Sequence, residues 1–144
     1  MLLTATQAAF NGVLELLDES LDLYQDMRDR LPATSRKAQL DLMLEQRQQL
    51  QEKLRQAAVE ELHIRPRTAD QDIEGLTHLL EQFRRLWQEP ETVALDLLLD
   101  HEQELQRACE EVLQEGGGEL SADLQILLAE LEEHLEATEL WLQH

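Results

Sequence analysis

The sequence predicts an all-α protein, a bundle of four long amphipathic helices. Aromatic residues are only 3% of the chain, and the 42% that is apolar is mostly Leu and Ala rather than the β-branched and aromatic residues that strands favour. Leucines recur at spacings of three and four over long stretches, the periodicity of one helical face. Three prolines and a run of three glycines punctuate these stretches, dividing 144 residues into four long segments and one shorter piece. The chain is long enough to bury a core as a single domain spanning 1–144.

The first helix is predicted over 4–30, where Phe10, Val13, Leu14, Leu17, Leu21, Tyr24 and Met27 share a face. Asn11-Gly12 lies inside it without flanking two-residue alternation, so it reads as a helical glycine costing about 1 kcal/mol rather than as a hairpin turn. Leu31-Pro32-Ala33-Thr34 ends this helix, and Thr34 or Ser35 can cap the second, predicted over 35–62 with Leu40, Met43, Leu44, Leu50, Leu54, Ala57 and Ala58 on its stripe. Arg65-Pro66-Arg67 breaks the pattern. Thr68-Ala69-Asp70-Gln71 has capping-box spacing and opens a shorter helix over about 70–88 that Pro90 stops or kinks. Leu95, Leu98, Leu105, Ala108, Cys109 and Val112 mark a helix over 91–115, closed by Gly116-Gly117-Gly118. Ser121 or Glu119 begins the last helix, 119–142, with Leu124, Leu127, Leu128, Leu131, Leu135, Trp141 and Leu142.

Short links make the first and last pairs of long helices antiparallel hairpins. The stretch from Arg65 to Glu89 can span roughly 25 Å even when helical, enough to travel back along a bundle as a crossover.

The formal net charge of −19 and pI near 4.4 repel phosphate backbones and anionic lipid surfaces, so neither nucleic acid nor membrane is expected as a partner. The first basic residue is Arg28, after the apolar opening Met1-Leu2-Leu3 and the acidic Glu15, Asp18 and Glu19, and no secretory or transit signal is expected. With one cysteine, Cys109, on an apolar stripe, this favours a bacterial cytoplasmic protein.

Polar residues interrupt the stripes at few places. Asp18 and Arg47 are equidistant from the first turn, and an ion pair between them is predicted. His101 and Glu102 interrupt the stripe between Leu98 and Leu105, and His134, one turn after Glu130, interrupts that of the last helix. Both levels approach the middle of the bundle, so these residues form one expected cluster. It reads either as a structural polar cluster centred on Asp18 and Arg47 that fixes helix register, or as a metal site. In the latter, His101, Glu102, Glu130 and His134 would supply nitrogen and oxygen ligands for iron or zinc. The triple glycine lacks the Lys of a phosphate loop, and neither Cys109 nor Ser121 has the setting of a nucleophile. No catalytic residue is assigned. His63, His78 and His144 read as solvated.

The order of elements, with Tyr24 on the first helix, Arg47 on the second, a crossover ending near Pro90 and Leu97-Leu98-Leu99-Asp100-His101-Glu102 opening the second hairpin, resembles the ferritin-like superfamily. More narrowly, it is similar to the small bacterial ferritin-like four-helix-bundle proteins. The resemblance implies two helical hairpins joined by a long crossover. It also brings the family's carboxylate pattern to compare: a glutamate on each of two helices and Glu-x-x-His on the other two. Here Leu17 stands seven residues before Tyr24, Glu45 is followed by Gln48 rather than His, and Glu130 lies four residues before His134. Glu60-x-x-His63 matches literally but falls at the far end of its helix. A guanidinium at Arg47 would repel a cation, so a working di-iron centre is not expected.

The function expected is therefore that of a non-enzymatic bundle acting through self-association or protein binding, as a homodimer or with a protein partner. A second apolar strip, Leu2, Leu16 and Leu23, suits such a contact. The alternatives are the metal-binding bundle above and an acidic helical secretion chaperone or adaptor holding an amphipathic client segment in a groove.

Overall fold

The computed structural model describes residues 4–31, 35–64, 73–86 and 91–143. They form α1 (Ala5–Arg30), α2 (Ser35–Glu61), α3 (Ile73–Leu86), α4 (Glu91–Gly116) and α5 (Ala122–Gln143), with a 3-10 turn at Gly117–Glu119 and no strand among the described residues. No described helix is long and apolar enough to cross a membrane.

Each boundary has a local cause. Thr4 opens α1 with a capping box: its hydroxyl accepts from the Gln7 N–H at 3.1 Å, and the Gln7 side chain accepts from the Thr4 N–H at 2.9 Å. The same Gln7 amide donates to the Leu62 carbonyl at 2.8 Å, satisfying an orphan acceptor at the end of α2 and tying it to the start of α1. Asn11-Gly12 is helical, as predicted. Beyond α2, His63 adopts φ 55°, a left-handed conformation that turns the chain so that the Ile64 N–H meets the Ala58 carbonyl at 3.2 Å. The predicted cap at Thr68–Gln71 and the Pro90 break lie outside the described residues, and the predicted crossover helix is described over Ile73–Leu86. Of the two starts weighed for the last helix, Ser121 is the cap, its hydroxyl accepting from the Leu124 N–H at 3.1 Å. Glu119 belongs to the preceding 3-10 turn.

That turn depends on a close approach. A Cβ on Gly116 would lie 2.6 and 2.7 Å from side-chain atoms of Leu120, which is only 5% exposed and has packed neighbours behind it. Gly116→Ala is therefore expected to lower the urea-unfolding free energy by about 1–3 kcal/mol, an overpacking cost. A midpoint equal to that of the parent chain would show that Leu120 can yield.

The four long helices form a ring in which α1 and α5 each pack against both α2 and α4, while α3 lies across α1 and α4. Two apolar clusters fix their directions. One gathers Phe10, Leu54, Cys109, Leu124 and Leu128; the other gathers Tyr24, Leu44, Phe83, Leu98 and Leu142. The N-terminal half of α1 thus shares an end with the C-terminal halves of α2 and α4 and the N-terminal half of α5. Helices α1 and α5 run one way, α2 and α4 the other, so every ring neighbour is antiparallel. The end of α2 and the start of α4 lie at opposite ends of the ring, and α3 falls between them in sequence.

The second apolar strip of α1 does not stand free. Leu23 is fully buried in the same cluster as Phe83, and Leu16 packs against the other cluster. For Leu23 the reason is α3, which lies over the α1/α4 side of the ring; Leu16, half-buried, lines a cleft between α1 and α4. Leu2 lies outside the described residues.

Candidate functional site

Between the two apolar clusters, all four long helices contribute a polar side chain at one level. On α1, Ser20 and Tyr24 follow Leu17 at interior positions. On α2, Arg47 falls between Leu44 and Leu50; on α4, Glu102 falls between Leu98 and Leu105. On α5, His134 and Thr138 fall between Leu131 and Leu142. Each helix thus carries the polar group on its buried stripe, where an apolar residue would otherwise stand.

Arg47 is the centre. It is 0% exposed, as is Glu102, and the two form a bidentate pair: Nη1 donates to Oε1 at 2.6 Å and Nη2 to Oε2 at 2.7 Å. This fork-on-fork geometry is the strongest that guanidinium and carboxylate can make. The remaining donors are also engaged. Nη1 reaches the Ser20 hydroxyl at 3.0 Å, Nη2 the Thr138 hydroxyl at 3.4 Å, and Nε the His134 Nε2 at 3.1 Å. Ser20 and Thr138 pass their own protons back to helix carbonyls, Leu17 at 2.7 Å and His134 at 2.9 Å. The Tyr24 hydroxyl donates to Glu102 Oε1 at 3.0 Å, and its ring lies 5.0 Å from the Arg47 guanidinium carbon, within cation–π range.

The electrostatics follow from burial and pairing. Burial alone would push Arg47 down, but the Glu102 carboxylate outweighs it and holds the guanidinium above its ordinary value. Burial and then the Glu102 charge raise the Tyr24 phenol well above its ordinary range, keeping it a neutral donor. Burial, then the Arg47 charge, lower His134 to about 4, so its imidazole is neutral and its Nε2 accepts. The network is fully proton-ordered: every N–H of Arg47 has an acceptor, and the carboxylate has three donors. Removing such a pair from water costs several kcal/mol per ion, so its net contribution to stability is small even when its geometry is good.

The predicted ion pair between Asp18 and Arg47 is corrected. Asp18 accepts instead from the Gln51 amide at 2.6 Å and lies 3.5 Å from the Arg55 guanidinium, both on α2. Equal distance from a turn fixes the level of two residues, not the direction they face. Arg47 points along the ring's interior to α4, whereas Asp18, partly exposed, faces the rim of the α1/α2 seam.

The predicted four-ligand set does not converge either. His101 and Glu102 are adjacent, so their side chains diverge by about 100° around α4. Glu102 turns to Arg47, while His101, buried at 7% exposure, meets Glu19 of α1, with Nε2 and Oε2 3.2 Å apart. His134 is held by Arg47, and Glu130 is exposed on the wall of a cleft between α2 and α5. No group of three or more His, Cys, Asp or Glu side chains able to hold a metal ion occurs among the described residues. Cys109 is buried, and burial together with Glu132 pushes its thiol up to about 12, so it stays protonated as a core side chain.

Sequence reasoning placed Arg47, Glu102 and His134 at one level but missed Ser20, Thr138 and the role of the Tyr24 hydroxyl. The signal was present for Thr138: Leu131, Leu135, Thr138 and Leu142 continue a four-three-four spacing, so Thr138 is the interior position of its turn. Ser20 stands three residues after Leu17 and four before Tyr24, the same pattern.

Clefts run along the helix seams. One, of about 510 Å³, lies between α1 and α4 over Ala8, Gly12, Leu16 and Ala108; another, of about 340 Å³, lies between α2 and α5 with His134 in its lining. No known family model, curated protein or solved structure matches this chain.

Proposed function

We propose that this chain is a non-enzymatic, ferritin-like four-helix bundle that acts through protein binding, self-association first, with a structural polar centre where carboxylate oxidases of that architecture hold metal. The observation that carries this reading is the Arg47–Glu102 pair. A guanidinium with all its donors spent fills the middle of the bundle at 0% exposure, and a fixed positive charge there opposes a cation. A group with no exposure and no free valence meets no substrate, so the working surface of the molecule is its exterior. The up-down-down-up course of the four helices, with α3 between the hairpins, supports the ferritin-like arrangement.

On that exterior, Leu42 and Leu140 are 62% and 59% exposed. Leu42 follows Gln39 by three residues on α2 and Leu140 adjoins Trp141 on α5, and the Trp141 indole donates to Gln39 at 2.9 Å and stacks under Arg36, its guanidinium carbon 4.5 Å from the ring. Two large exposed apolar side chains on the two helices that the indole bridges make a candidate contact for a second chain.

The test is light scattering coupled to size exclusion over a range of concentrations, on the parent chain and on Leu42→Glu with Leu140→Glu. The parent chain is expected to show a concentration-dependent mass above 16.7 kDa. The double variant is expected to remain monomeric with its melting temperature essentially unchanged, because exposed substitutions shift stability by within about 0.5 kcal/mol. A parent chain that is monomeric throughout would remove the self-association reading.

A further inference from the structure

We propose that His134 is a proton-operated latch on the seam between α2 and α5: neutral, it accepts Arg47 across the seam, and protonated, it turns outward to pair with Glu130 in the α2/α5 cleft. The geometry singles it out. Ser20, Tyr24, Arg47, Glu102 and Thr138 are all buried, at 0%, 1%, 0%, 0% and 2% exposure. His134 is half-buried and lines the cleft of about 340 Å³, so it is the member of the network that water reaches.

The bond it makes tolerates one protonation state. Arg47 Nε is a donor in every state, so His134 Nε2, 3.1 Å away, must present a lone pair and the ring proton must sit on Nδ1. A proton on Nε2 sets two donors and two positive charges against each other. From within, only the Glu102 carboxylate favours a charged ring, and burial together with Arg47 outweighs it. On α4, Glu102 is already held by Arg47 and Tyr24. From α1 comes the neutral Tyr24 phenol; Lys53 of α2 stands in the cleft itself, where the two carboxylates of Glu130 and Glu133 outnumber it. On α5 itself, Glu130 and Glu133 line the cleft, and Glu130 lies one helical turn before the histidine, where an i, i+4 carboxylate–imidazolium pair forms readily. The favourable place for the charged ring is outside.

Release has a defined structural cost. Without His134, the grip of α5 on Arg47 is reduced to the long Thr138 contact of 3.4 Å. The sign of the pH effect follows from a folded-state pKa held at about 4 by burial and Arg47, below the ordinary value of 6.5. The open state takes up the proton more readily, so the closed seam is fully favoured above the ordinary value and weakens as pH falls toward the folded one.

Hydrogen exchange on the full chain, corrected for intrinsic rates, tests the latch between about pH 7 and about pH 4.5. Peptides from the His134 end of α5 and the Arg47 region of α2 are expected to lose protection about tenfold or more, while the α1/α4 seam holds. In His134→Gln, which keeps an acceptor but takes up no proton, that step should vanish, and in Glu130→Gln it should shrink. The same step in His134→Gln, or an equal loss across all helices, overturns the proposal. If His134→Gln fails to fold, nitrogen-15 NMR of the parent chain decides. The expected spectrum shows the Nδ1–H tautomer at neutral pH and a ring titration with a midpoint below 5 that moves the Arg47 Nε–H resonance. A midpoint near 6.5 with that resonance unmoved would refute the latch.

Discussion

Replacing Arg47 with Ala will lower the unfolding free energy by about 3–5 kcal/mol, read as a shift of the urea midpoint at constant slope. The loss does not measure the strength of an attraction. It measures what is left behind: Glu102 at 0% exposure with no cation, Ser20 and Thr138 without their donor, and a cavity the length of an arginine between two apolar clusters. For a chain of this size, the corresponding fall in melting temperature is on the order of 10 °C. A variant within about 1 kcal/mol of the parent would mean that water enters the centre and hydrates Glu102, contrary to the closed geometry.

The complement separates stability from specificity. Arg47→Met with Glu102→Leu and Tyr24→Phe removes all the charges of the pair and the phenol that would otherwise lose its acceptor. Buried pairs replaced by apolar residues of similar volume are commonly neutral or stabilising by about 1–4 kcal/mol, so this triple variant is expected to regain the stability that Arg47→Ala loses. A single set of NMR resonances from it would show that the apolar clusters alone define the register. Broad or duplicated resonances at parental stability would show that the network selects one packing among several.

The fold was legible because its signal is distributed: each long helix repeats its stripe over many turns, and single interruptions such as Gly12 do not erase it. The site was legible only in level. Counting residues from a turn placed Arg47, Glu102 and His134 together, since 1.5 Å per residue fixes height along the axis. It could not rank Asp18 against Glu102 as the partner of Arg47, because that choice depends on the direction in which each side chain leaves its helix. Asp18 lies one residue off the buried stripe, at the α1/α2 rim, and a hundred-degree difference per residue is enough to exchange one partner for another. The same small angle divides His101 from Glu102. What the stripe did encode, and a search for charged residues passed over, is that hydroxyls at interior spacings are part of a buried centre: Ser20 and Thr138 carry no charge, yet each occupies a position otherwise filled by leucine. Leu23 shows the opposite case. Its strip is apolar on the wheel of α1, and whether a partner or α3 covers it was a question of tertiary packing alone.

That covering makes Phe83→Ala the second large effect expected. Phe83 is 0% exposed and is the fully buried side chain among those described on α3, with Leu79, Leu80 and Leu86 only partly covered. The pair of Arg84 with Asp26 at 3.2 Å, its guanidinium more than half exposed, contributes at most about 1 kcal/mol. Truncating a buried phenylalanine costs about 3–5 kcal/mol where the surroundings cannot escape, but α3 can escape, because leaving the α1/α4 face exposes one short helix without opening the ring. The global midpoint should therefore fall by less than the full cost. The remainder should appear locally, as rapid tryptic cleavage after Arg84 and Arg85 and lost exchange protection over α3 under conditions where α5 stays protected. Phe83→Leu, which keeps most of the buried area, should retain the parental cleavage rate. If Phe83→Ala instead lowers the global midpoint by the whole amount while the Arg84 and Arg85 bonds stay resistant, α3 unfolds only with the bundle. The two hairpins and the helix between them are then one cooperative unit, and Leu23 is core in the energetic as well as the geometric sense.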